Sequence, residues 1–111
     1  MAYDFIGKIK DVKNEKLLEP EQLQEVVAKI SVRAKKPLEI KAVRSEKEPR
    51  RDLLVKAKIY VSSMPGVHMD DLYAAISLFK FYLEEIANAT NGMVSRSEGF
   101  YNDDKTYNSL Y

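Results

Sequence analysis

Residues 53–62 read Leu53-Leu54-Val55-Lys56-Ala57-Lys58-Ile59-Tyr60-Val61-Ser62, and their alternation decides the fold class. Leu53, Val55, Ala57, Ile59 and Val61 recur at period two, with Leu54, Lys56, Lys58, Tyr60 and Ser62 between them. Successive side chains of an extended chain point to opposite faces, so this is a strand with one buried and one wet face. Just upstream, Leu38, Ile40 and Ala42 alternate with Glu39, Lys41 and Val43, which predicts a second strand. The polar residues 45–52, with Pro49 among them, join the two. That connection is longer than the usual hairpin loop, although an antiparallel pair is still the simplest arrangement. The surplus length carries Arg50 and Arg51, which hints at a functional loop.

Toward the N-terminus, Tyr3, Phe5, Gly7 and Ile9 alternate with Asp4, Ile6, Lys8 and Lys10, predicting a further half-buried strand. From Pro20 the period changes. Leu23, Val26, Val27, Ile30 and Ala34 lie on one face of a helix whose first turn suits Pro20 and which Pro37 ends. Glu19, Glu21 and Glu25 complement the positive end of its dipole, and Arg33, Lys35 and Lys36 the negative end. Ala28, Ile30, Val32 and Ala34 also alternate, so a shorter helix running into a strand over 28–34 competes with this reading.

Asp70 and Asp71 mark the start of a second helix, and Asn91-Gly92 its stop. Leu72, Ala75, Ile76, Phe79, Leu83 and Ile86 form its main apolar face. Tyr73, Leu78, Phe81 and Tyr82 widen that surface, which implies burial on more than one side. The sequence predicts that this second side meets the C-terminal segment or another subunit.

The predicted class is α+β: a small antiparallel sheet with two helices on one face, in the order β-α-β-β-α(-β). Residues 1–92 form the domain, and 93–111 a tyrosine-rich segment that is either an edge strand around 94–101 or a partner-binding tail. With the last strand the pattern is a split β-α-β, ferredoxin-like sandwich; without it, a three-stranded sheet lies under two helices.

The 111 residues are 45% hydrophobic and 32% charged, which suits one soluble domain with its own core. There are no cysteines, which excludes disulfides, zinc–thiolate sites and thiol nucleophiles. The start of the chain does not read as a signal peptide, and no apolar run is long enough for a membrane span, so a cytoplasmic protein without a membrane partner is expected. The net charge of +1 conceals a segregated pattern. Residues 29–58 hold eleven cations against four carboxylates, between two acidic ends. Such a segment attracts polyanions even on a nearly neutral molecule.

Catalytic equipment is thin. His68 is the lone imidazole, and Ser62, Ser63 and Asp70 near it make a trio of a kind that arises by chance. Asp70-Asp71, Glu84-Glu85 and Asp103-Asp104 are adjacent pairs whose members point apart, a weak basis for a metal site. Gly7, Gly66, Gly92 and Gly99 are isolated and match no phosphate-cradling motif. No enzyme activity, cofactor or metal is expected.

Two binding readings remain. In the first, Lys41, Arg44, Arg50, Arg51, Lys56, Lys58 and Tyr60 form a basic two-stranded surface that contacts the phosphate backbone of nucleic acid. The same cations would also suit an acidic protein partner, or simply a solvated sheet face. In the second, the chain is a homo-oligomeric assembly or adaptor protein. Tyr73, Leu78, Phe81 and Tyr82 of the second helix, with the tyrosine-rich tail, would then make the interface.

Overall fold

Alternation at period two builds the centre of the sheet. In β1 (Ala2–Lys10), Tyr3, Phe5 and Ile9 are buried. Gly7 shares their face, and the Leu83 side chain fills the space a Cβ there would take. In β3 (Leu53–Tyr60), the buried Leu53, Val55, Ala57 and Ile59 belong to the same core. The two strands run antiparallel, with Phe5 opposite Ala57 and Ile9 opposite Leu53. The computed structural model describes residues 2–34, 38–95, 99–101 and 106–109. Lys35, Lys36 and Pro37, read above as the end of the first helix, lie outside the described residues, as do Asp103, Asp104 and Tyr111.

β2 (Ile40–Arg44) pairs antiparallel with the outer edge of β3. On the other side of β1 lie β4 (Met93–Val94) and β5 (Gly99–Tyr101), and β6 (Tyr107–Ser109) pairs with β5. The order across the sheet is β2-β3-β1-β5-β6, with β4 also on β1 and every pairing antiparallel. A strand inserted between β1 and β2 is the split β-α-β arrangement of the ferredoxin-like sandwich. Ser95 N donates to Lys8 O at 2.8 Å, which extends the contact of β4 with β1 by one residue. The C-terminal segment thus contributes strands to the sheet.

A single 3-10 turn (Glu15–Leu18) leads into α1 (Pro20–Arg33), whose N1 proline has no amide to leave unpaired. Leu23 and Ile30 are buried, and Val26 and Val27 pack against the core. The helix runs to Arg33, and the competing strand over 28–34 does not form. Val32, which that strand would need beside its core, is 86% exposed. α2 (His68–Thr90) begins two residues ahead of Asp70 and ends at Asn91, whose left-handed φ of 57° lets Gly92 N donate to Ala87 O at 2.9 Å.

The breadth of the apolar surface of α2 has an explanation within one chain. One side covers β1 and β4, the latter being the start of the C-terminal segment, and another meets α1. Tyr82 marks that contact. It is fully buried; its hydroxyl lies 3.0 Å from Ser31 Oγ of α1 and accepts from Leu38 N at 3.2 Å. Arg33 donates to Glu85 at 2.9 Å along the same seam. Tyr82→Phe strips Leu38 N of this acceptor and is expected to cost about 1–2 kcal/mol. A urea titration checks this as a lower midpoint at unchanged slope.

Candidate nucleic-acid interface

Among the described residues both helices lie on one side of the sheet, and its other side carries exposed side chains. The alternation that buries Val55 and Ala57 sends Lys56 and Lys58 to that open side, with Leu54 before them and Tyr60 after. Tyr60 is 71% exposed. On β2 the same rule turns Lys41 and Val43 outward and Ile40, Ala42 and Arg44 toward the helices.

The register then sets the neighbours. Lys41 stands directly opposite Lys56 across β2 and β3, and on β1 Ile6 faces Lys56 while Asp4 faces Lys58. Among the described residues Lys41, Lys56 and Lys58 form no ion pair. Two ammonium groups directly opposed in a ladder repel each other, a cost that an anion between them would offset. A broad depression of about 960 Å³ has Asp4, Ile6, Lys41, Lys56, Lys58 and Tyr101 on its walls, and it also touches Val27, Leu38 and Ile40 of the helix side.

The other predicted cations part company with this group. Arg44 sits on the helix side, where its guanidinium pairs with Glu19 and donates to Leu18 O at 3.3 Å. It acts as a strut between β2 and the start of α1, not as part of the open face. Arg51 lies in the loop within 3.6–3.8 Å of Glu48, Asp11 and Asp52, so three carboxylates already neutralise it. Asp52 is itself buried; it accepts from Asp11 N at 3.2 Å and lies 3.6 Å from Lys8. Arg50 is exposed in the same loop and makes no ion pair among the described residues.

The predicted assembly residues scatter likewise. Tyr73 is exposed, while Leu78 and Phe81 are half-buried in an apolar cleft of about 550 Å³ between α2 and the end of β3. Tyr82 is fully buried within the chain against α1.

The trio around His68 does not assemble a nucleophile and base. His68 Nδ1 faces the Ser62 carbonyl at 2.7 Å, and since a carbonyl only accepts, Nδ1 carries the proton there. In the neutral ring Nε2 then accepts from the Tyr3 hydroxyl at 2.9 Å. Ser62 Oγ meanwhile accepts from Met64 N, and it is Asp71, not Asp70, that accepts from Ser62 N. The ring anchors β1 to the loop before α2. Among the described residues no three His, Asp or Glu side chains converge to hold a metal, and no helix is long and apolar enough to cross a membrane.

The order of residues places no function on Tyr101 and Tyr107 beyond a general tendency to make protein contacts. The register puts them on the open face: Tyr101 stands opposite Asp4, and Tyr107 opposite Tyr101. The alternation of Tyr101 with Phe100 is a local signal, but the strands that these tyrosines pair with are distant in the chain. Comparison with protein-family models, with curated proteins and with solved structures finds no match to this chain.

Proposed function

We propose that this protein is a non-enzymatic nucleic-acid-binding module that holds the phosphate backbone on its open sheet face. One observation carries the reading: Lys41 and Lys56 are directly opposed, Lys58 follows on the same face, and no ion pair among the described residues relieves them. Such a site takes a chain of regularly spaced anions without regard to base sequence. With Arg44 and Arg51 already neutralised, the footprint is small. Three lysines contacting phosphates correspond to a log–log salt slope of about −2 on single strands. Affinity should then fall roughly twentyfold between 50 and 200 mM salt. Fluorescence anisotropy with labelled oligonucleotides across that range measures it. A flat salt response, or no binding at the lower salt, defeats the reading.

A second reading, a homo-oligomeric assembly protein, has its own support. Met69 and Tyr73 are 50% and 59% exposed one turn apart on α2, and Leu78 and Phe81 line an apolar cleft on another face of the same helix. Association through that surface would survive high salt, because apolar burial is not screened. The same salt series therefore separates the two readings.

A further inference from the structure

The open face is chemically divided. Lys41, Lys56 and Lys58 occupy its β2–β3 half, and Tyr101 and Tyr107 its β5–β6 half, with Asp4 of β1 between Lys58 and Tyr101. Strands lie ≈ 4.8 Å apart, so about 10 Å separates the β3 row from the β5 row, a span that one nucleotide covers from phosphate to base. At the end of β1 that lies between Lys58 and Tyr101, the Asp4 carboxylate repels phosphates, which favours a backbone path along the lysines with bases turned toward the tyrosines.

The tyrosines are held ready for that contact. Their rings meet at a centroid distance of 5.4 Å and an interplanar angle of 61°. Tyr107 is 46% exposed. Gly99 makes the arrangement possible: a Cβ there would run into the Asn108 carbonyl and come within 2.9 Å of the Tyr107 ring. With no side chain at Gly99, the Tyr107 ring lies close over the strand.

We propose that the ligand is a single-stranded polynucleotide whose bases stack on Tyr101 and Tyr107 while Lys41, Lys56 and Lys58 hold its phosphates. The inference rests on the phosphate-binding reading above and adds to it a preference for unpaired bases. In a duplex the bases are stacked on one another and offer no face to a flat sheet, whereas every unpaired base has one.

The test compares a labelled oligodeoxythymidylate with a duplex of equal length, at low salt, on three proteins. Wild type should prefer the single strand. The double variant Tyr101→Leu/Tyr107→Leu should lose roughly ten- to a hundredfold on the strand, keep its duplex affinity and keep its salt slope. The pair Tyr101→Phe/Tyr107→Phe retains the rings and should bind like wild type. The chain has seven tyrosines and no tryptophan, so stacking also reads out directly as quenching of intrinsic tyrosine fluorescence. Unchanged strand affinity in the leucine pair, with salt-dependent binding intact, overturns this inference and leaves the phosphate reading standing. Absence of wild-type binding to either probe overturns both. If circular dichroism shows that the leucine pair does not fold, quenching in wild type decides: strand binding without it overturns the inference, and strand binding with quenching that the phenylalanine pair's affinity matches supports it.

Discussion

Replacing Lys41, Lys56 and Lys58 together by glutamine is expected to weaken single-strand binding roughly a hundredfold at about 0.1 M salt, because each phosphate that no longer meets an ammonium group takes about 0.7 off the salt slope. The residual binding should be nearly independent of salt. The same substitution should make the fold more stable, by a few tenths of a kcal/mol, since it removes the directly opposed Lys41–Lys56 pair. Opposite signs are what make the measurement decisive. A residue kept for structure lowers stability and binding together when it is removed, whereas these lysines should lower binding alone. Anisotropy titrations give the first quantity and urea unfolding of the same samples gives the second. Equal affinity of the triple variant and wild type would remove the open face from consideration.

Phe5→Ala is expected to cost about 3–5 kcal/mol, a large part of the roughly 5–15 kcal/mol that holds a domain of this kind. Phe5 has no exposed surface and joins three parts of the molecule. From β1 it stacks on Phe100 of β5 with centroids 4.9 Å apart and 16° between planes, and it meets Phe79 of α2 edge-on at 5.2 Å. Truncation therefore opens a cavity between the sheet and α2 and frees β5 from its main apolar neighbour. The melting temperature should fall by more than about 10 °C, given several degrees for each kcal/mol in a chain near this size. Phe5→Leu fills most of the space and should cost much less. A drop below about 1 kcal/mol for Phe5→Ala would mean that the core closes over the gap, contrary to the usual cost of emptying a packed site.

The two predictions bear on different levels of what the chain encodes. Period two over 53–61 marks β3 and tells which of its side chains meet the core; period 3.6 over 23–34 and 72–86 marks both helices. These are local signals, set by the geometry of a few consecutive residues, so they are legible without any knowledge of the partner. The position of Arg44 is legible too. It shares parity with Ile40 and Ala42, and that alternation already turns it toward the helices, though its charge suggests the basic face.

What α2 packs against is not legible, because apolar breadth says that a second contact exists without saying whether α1, the tail or another chain supplies it. Arg51 reads as a free cation until the turn at Asp11, whose φ is 57°, brings that carboxylate beside it from forty residues away. Tyr101 and Tyr107 read as tail residues until β5 pairs with β1, nearly a hundred residues earlier in the chain. Alternation assigns a side chain to a face, and that is written in the order of the residues. Which side chains then share the face, and which charges find a counter-charge, depends on pairing register between distant segments, and only the folded chain brings those together.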